Sequence, residues 1–274
     1  MRDALGGHLG ELRHEPTDKR VRGMLGGRVI VDSSRAVLVW EPRRVVPSYA
    51  VPDADVRGEL VPAARPATAA GPDARILHPG IPFAAHSTPG EPLTLRAGER
   101  VREGAAFRPA DPDLAELVVL DFTALDAWYE EDDELVGHPR DPYHRVDIRP
   151  SSRHVRIELD GRTLADSGSP TLVFETSLPT RFYLPATDVH ADLVPSDRRT
   201  YCAYKGEATY WSVAGHADLA WTYRDPLPDA GRLAGLIAFF DDLVDVVVDG
   251  ERRERPGSAL ARAVLDESGV APDA

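Results

Sequence analysis

Residues 200–211 read TYCAYKGEATYW and gather the only cysteine of the chain, one of its two lysines, three tyrosines and a tryptophan. Apart from Lys19 and Lys205, every basic residue is arginine. The choice at 205 has chemical content. A guanidinium stays charged and binds as a planar fork, whereas a lysine amine is a compact donor whose pKa falls on desolvation, which suits a base or a nucleophile. Cys202 beside that cation gains thiolate character, and Tyr204 is placed to donate to a developing oxyanion.

Other polar residues fall where turns present side chains from rigid strands. Glu175 closes the run TLVFE, and Arg181, Tyr183 and Asp188 flank the Pro185 turn. The catalytic candidates are Lys205, Tyr204, Cys202, Asp188 and Glu175. Arg181 and Tyr183 are candidate ligand-binding groups, with Trp211 and Trp221 as aromatic walls. The segment HPRDPY, stiffened by two prolines, adds His138, Arg140 and Tyr143 if it crosses onto the second half of the chain. Each has a plainer reading. Cys202 serves as a small buried hydrophobe, the two carboxylates cap turns or pair with Arg181, the tryptophans fill a core, and the HPRDPY segment is a linker. The histidines show no His-x-His or His-Glu-x-x-His spacing, and no phosphate loop or dinucleotide fingerprint occurs, so no metal or cofactor is expected.

A repeat organises the elements that must position these groups. GRVIVDSSRAVLVWE from Gly27 aligns without gaps on GRTLADSGSPTLVFE from Gly161, and YAVPDADVRGELVP from Tyr49 falls on YLPATDVHADLVP from Tyr183 with one extra residue in the first copy. A duplicated unit explains both matches. Residues 63–92 of the first copy, rich in Ala, Pro and Gly, read as an insertion. RHVRIELDGRTLADS predicts a hairpin around Asp160-Gly161, and TLVFE, ATYWSV, ADLAWTY and VDVVVDG predict further strands. Leu233, Leu236, Ile237 and Phe240 recur at helical spacing behind Asp229 and predict one helix; residues 3–12 and 258–269 predict peripheral helices. The expected fold is mainly β: two small barrel- or sandwich-like repeats, each with about one helix, related by a pseudo-two-fold. Its divisions are an extension at 1–20, a degenerate repeat at 21–150, the site-bearing repeat at 151–251 and a tail at 252–274.

A net charge of −13 disfavours nucleic acid and anionic membrane as partners, because both demand clustered positive charge. No apolar run approaches the length of a membrane span, the start carries charges in place of an apolar signal region, and a lone cysteine suits a reducing compartment. The reading is a cytoplasmic protein with a small-molecule partner, a monomer with an internal pseudo-dimer or a weak homo-oligomer.

GRTLADS, TLVFET, RFYLPATDV, TYCAYKGEATYW, LAWTY and IAFFDDLVDVVVDGE, in that order, resemble the domain-of-unknown-function 427 family over residues 153–251. The resemblance implies a small, mainly β domain often labelled nucleotidyltransferase-like. Ala203 departs from the proline usual after the motif cysteine. Gly168-Ser169 is not followed by the Asp-x-Asp pair that two-metal nucleotidyl transfer requires, which removes support for the label. The leading function is a small-molecule enzyme using acid–base or covalent catalysis in a polar pocket of the second repeat. The alternative is a non-catalytic binding or regulatory module built from the same residues, and a structural or assembly protein is the third class left open, since the resemblance supplies no substrate.

Overall fold

The computed structural model describes residues 8–66, 68–69, 76–213 and 215–256, so the segment 258–269 lies outside the described residues. The chain divides into two compact units, Met1–Asp141 and Pro142–Ala274. The first contains β1 (Arg13–Pro16), β2 (Val21–Leu25), β3 (Arg28–Ser33), β4 (Val37–Trp40), β5 (Ser48–Pro52) and β6 (Glu59–Pro62). It continues with β7 (Thr68–Ala69), β8 (Ala85–His86), β9 (Gly90–Ala97), β10 (Arg100–Pro109), β11 (Leu117–Leu120), β12 (Ala127–Glu130) and β13 (Asp133–Leu135). The second contains β14 (Val146–Pro150), β15 (Val155–Leu159), β16 (Arg162–Ser167), β17 (Thr171–Glu175), β18 (Arg181–Leu184) and β19 (Leu193–Cys202). Its remaining strands are β20 (Gly206–Val213), β21 (His216–Tyr223), β22 (Ile237–Phe239), β23 (Asp245–Val248) and β24 (Glu251–Arg252).

Both units pair their strands in one order. The first has a seven-stranded sheet β1-β4-β5-β11-β10-β9-β6 and a four-stranded sheet β13-β12-β2-β3; the second has β14-β17-β18-β22-β21-β20-β19 and β16-β15-β23-β24. The pairs β7 and β8 are an addition of the first unit, inside the expected insertion. The sheets are open, so each unit is sandwich-like and not a barrel. β14 pairs with β17, so this strand belongs to the second unit, although a boundary at 150 would assign it to the first. In the same way β1, inside the expected extension, pairs with β4.

The sandwich follows from alternation. Val21, Leu25, Ile30, Val31 and Trp128 from one sheet meet Leu38, Tyr49, Val51, Leu93 and Leu120 from the other; Val155, Ile157, Leu164 and Val246 meet Leu172, Phe182, Leu184 and Ile237 in the second unit. Each fully buried aliphatic side chain stabilises by about 1.5–3 kcal/mol. Asp160 and Gly161, with φ of 50° and 74°, make the two-residue turn that joins β15 to β16. Beyond β18, Ser167 Oγ donates to Asp188 Oδ2 at 2.6 Å, and Ser33 Oγ does the same to Asp55 in the first unit.

Two expectations are corrected. The segment from Asp229 to Phe240 is not an amphipathic helix: a 3-10 turn spans Pro228–Leu233, Gly235 adopts a φ of 71°, and the chain enters β22, a central strand buried on both faces. A strand with two apolar faces imitates helical spacing over a short window. The described residues hold only 3-10 helices, and no helix among them is long and apolar enough to cross a membrane. The second correction concerns alignment. Val37 pairs with Ala50 where Thr171 pairs with Tyr183, so Tyr183 corresponds to Ala50 and not to Tyr49. The extra residue of the first unit sits in the loop before β5, where no pairing register constrains it.

Candidate functional site

The seven-stranded sheet of the second unit has a second face, turned away from the sandwich core and rich in aromatic residues: Tyr183, Tyr210, Trp221, Tyr223 and Phe240. Alternation places Glu175 there, because Val173 two residues earlier is on that face. Edge strand β14 sets Val146 opposite Glu175, and the residues just before it bring His144 Nε2 to 3.0 Å from Glu175 Oε1. The hairpin between β19 and β20 closes with Cys202 opposite Gly206. Its turn delivers Lys205, whose Nζ donates to Glu175 Oε2 at 2.5 Å. Gly206 has a φ of 95°, and an added Cβ there would lie 3.3 Å from the Leu227 nitrogen, which donates to the Lys205 carbonyl. Only glycine fits that turn without strain.

The ring of Tyr204 stacks on His144 with centroids 4.3 Å apart. Trp221 Nε1 donates to the Tyr183 hydroxyl at 3.0 Å, and Tyr183 and Cys202 both act electrostatically on Lys205. Lys205, Tyr204 and Tyr183 are buried, while Cys202 is partly exposed. The electrostatics overturn one expectation. Burial is the largest single influence and alone would lower the Lys205 pKa, yet the Glu175 carboxylate, Cys202 and Tyr183 together outweigh it and the pKa rises. Lys205 is therefore a fixed ammonium, not a neutral amine poised to attack. Burial pushes Glu175 up, but Lys205 and His144 outweigh it and hold its carboxyl down at about 2. Desolvation raises the Tyr183 phenol to about 12, so it remains a neutral donor.

Glu175, Tyr183, Cys202, Tyr204, Lys205 and Trp221 thus share one network, more enclosed than the open pocket the residue types suggest. Arg181 adjoins it, with its guanidinium 5.9 Å from the Trp221 ring centre, and pairs with Asp241 and, at 3.0 Å, with Asp242. Asp188 stands apart: it bonds Ser167 on the other sheet and is not among the groups acting on Lys205. Trp211 projects from the opposite face and packs against the sandwich core. His138 and Arg140 belong to the first unit, and His138 Nδ1 donates to the Pro139 carbonyl at 2.7 Å. Tyr143 follows Pro142 at the start of the second unit and is exposed. A shallow surface depression of this unit is lined by Pro179, Thr180, Asp241, Val246, Arg253, Glu254 and Pro256, none of them in the Lys205 network. His144 is the functional candidate that residue spacing alone passes over; its signal is its place immediately before an edge strand that ends opposite Glu175.

The second unit is thus a mainly β, two-sheet domain with a buried carboxylate–ammonium–imidazole cluster at one sheet end. Residues 147–250 match the model of a family described as a domain of unknown function, DUF427. A search of the curated proteins finds no match to the chain.

Proposed function

We propose that the second unit is a small-molecule enzyme in which His144 moves a proton, with Glu175 orienting the imidazole and Lys205 fixing the carboxylate. One observation carries this reading: His144 retains 20% exposure while it is bonded to Glu175, which is 7% exposed. A buried carboxylate on one ring nitrogen selects the tautomer and leaves the other nitrogen for a substrate. In this arrangement Lys205 acts as a charge and Tyr183 as a neutral donor, so acid–base chemistry is favoured over a lysine nucleophile. The acidic composition supports a small-molecule partner over nucleic acid, and the single cysteine supports a reducing, cytoplasmic setting.

The test is to incubate the full chain with pooled cellular metabolites, follow depletion by mass spectrometry, and repeat with His144→Gln and Lys205→Arg. His144→Gln should lower turnover of any depleted compound by about 100-fold or more, and Lys205→Arg should act less severely. Turnover indifferent to His144→Gln overturns the reading.

The alternative is a binding module, and the first unit favours it. There Glu41 is held by His86 and Arg44 in a related trio, and an arginine has no proton to exchange near neutrality. In a binding module, both substitutions would change ligand affinity with no turnover to lose.

A further inference from the structure

The core-facing side of the same hairpin end carries polar groups that the Glu175 network does not use. Across the seven-stranded sheet of the second unit, Leu184, Ile237, Thr222, Thr209 and Arg199 form one row by direct pairing. The row runs from apolar core through two hydroxyls to a guanidinium on the edge strand β19. Thr209 and Thr222 are only 6% and 3% exposed, and neither hydroxyl has a hydrogen-bond partner. Trp211 lies two residues along β20 on the same face, and its indole Nε1 is also buried without a partner. Leaving a buried donor unmade is costly, and here two hydroxyls on directly paired residues and an indole N–H share one face of the sheet.

The first unit resolves the same positions differently. By strand register, Trp211 corresponds to Leu93, a core residue, and the Thr209–Thr222 pair corresponds to Glu91–Arg108. Arg108 is paired with Asp53 and lies 3.8 Å from Glu91. The fold therefore does not require unmatched hydroxyls at this place. At the rim of the second unit, Arg224 lies with its guanidinium 5.5 Å from the Trp211 ring centre, and no carboxylate pairs with it among the described residues. The nearby Glu207 carboxylate is taken up by Tyr201, at 2.9 Å, and Arg199, at 3.5 Å.

We propose that Thr209, Trp211, Thr222 and Arg224 form a binding site for the oxyanion group, carboxylate or phosphate, of a small molecule. An indole N–H and a guanidinium can only donate, and two hydroxyls without acceptors complete a set of donors suited to an oxyanion. Glu207, already bonded, leaves Arg224 as the uncompensated cation. The site uses the opposite face of the sheet from Glu175 and does not depend on the His144 reading.

The experiment follows the four indole N–H resonances of the full chain by NMR while sodium phosphate or sodium acetate is added at constant ionic strength. The resonance lost in Trp211→Phe identifies Trp211. It should shift saturably with at least one anion, phosphate pointing to a phosphoryl ligand and acetate to a carboxylate. Thr209→Val with Thr222→Val should weaken that response at least tenfold and leave the melting temperature equal or higher, since the valines remove unmatched hydroxyls. Arg224→Gln should weaken it without touching the core, and His144→Gln should leave it unchanged. A Trp211 resonance that neither anion moves overturns the proposal. So does a response that survives the valine pair, which would mark the threonines as packing groups.

Discussion

The carboxylate that follows β4 and the one that ends β17 occupy the same place in two copies of one topology, and each is held by an imidazole and a cation. The details differ in one direction. In the first unit, Glu41 accepts from His86 Nδ1 at 2.8 Å and from the Ser87 nitrogen at 2.7 Å, and the Arg44 guanidinium lies 3.9 Å away. Arg44 also donates to the carbonyls of Pro82, Phe83 and Ala85, at 3.2, 3.3 and 2.7 Å, so it ties the insertion down. The ring of His86 stacks on Phe107 at 3.6 Å, and its side chain is 3% exposed. Phe107 corresponds by register to Trp221, and Ala50 to Tyr183, so the first unit has filled this end of the sheet with its own insertion. The second unit has a short hairpin there, places Lys205 in it, and leaves His144 in reach of water. One fold thus holds the same carboxylate against a buried imidazole in one unit and against a partly exposed imidazole in the other.

The largest effect should come from breaking the charge balance of the second unit. Removing one member of a buried pair strands the other, at a cost of about 3–5 kcal/mol, whereas replacing both with apolar groups is often close to neutral. Lys205→Met and Glu175→Leu should each destabilise by that amount in urea unfolding, and the double substitution should recover most of it. Equal losses for the double and the single variants would show that the pair is not the reason for the cost.

The two histidines offer a direct contrast. His86→Ala should cost about 3 kcal/mol, because it opens space against Phe107 and strips Glu41 of a buried donor. His144→Ala should cost about 1 kcal/mol, since water can replace part of what is lost. Thermal unfolding of the two variants reads the difference. Similar costs would place His144 on the same structural footing as His86 and weaken its proposed role.

The pH dependence has a definite sign at both ends. Glu175 is held down at about 2, below its ordinary value, so its stabilisation is present above that ordinary value and is lost as pH falls from about 4.5 toward 2, on the order of 3 kcal/mol in all. Lys205, with a raised pKa, stabilises fully below its ordinary value of about 10.5 and loses that contribution as pH rises through its folded value. Tyr183, raised to about 12, favours the folded state fully below about 10 and loses that contribution as pH rises from about 10 to about 12. Acid unfolding of Glu175→Gln should therefore be flatter between about pH 4.5 and 2 than that of the wild type. Identical acid limbs would remove Glu175 from the account.

Most strands of the second unit were legible from residues, because apolar alternation marks them and the Asp160-Gly161 turn joins two of them, and Gly-Arg, Asp-Ser and Leu-Val recur at matching spacing in the first copy; the order of the strands in the sheets was not. The sheet identity of residues 237–239 was not, since a strand buried on both faces has no period to distinguish it from a helix. Among site residues, Lys205 and Glu175 could be paired by type, but the protonation state could not: it depends on a 2.5 Å contact between segments thirty residues apart. His144 escaped because strand pairing, not chain order, assigns it to the second unit. Asp188 carried its own warning. It recurs as Asp55 in the first copy, and in both copies its partner is a serine of the four-stranded sheet, outside the Glu175 network.

That recurrence yields the most discriminating expectation. Ser33 and Ser167 each donate to their aspartate at 2.6 Å and accept a backbone N–H at 3.1 Å, from Arg35 and Ser169 respectively. In both units the bond pins a 3-10 turn to an edge strand of the four-stranded sheet. Hydrogen bonds to a charged group contribute about 1.5–3 kcal/mol when partly buried, so Ser33→Ala and Ser167→Ala should each destabilise by roughly that amount. The first should cost slightly less, because Asp55 keeps an ion pair with Arg35 at 2.8 Å, an exposed contact of at most about 1 kcal/mol. Neither should change any activity traced to His144. If Ser167→Ala abolishes turnover at a stability cost equal to that of Ser33→Ala, Asp188 acts in the chemistry after all, and the contrast between shared scaffold and divergent site would have to be redrawn around it.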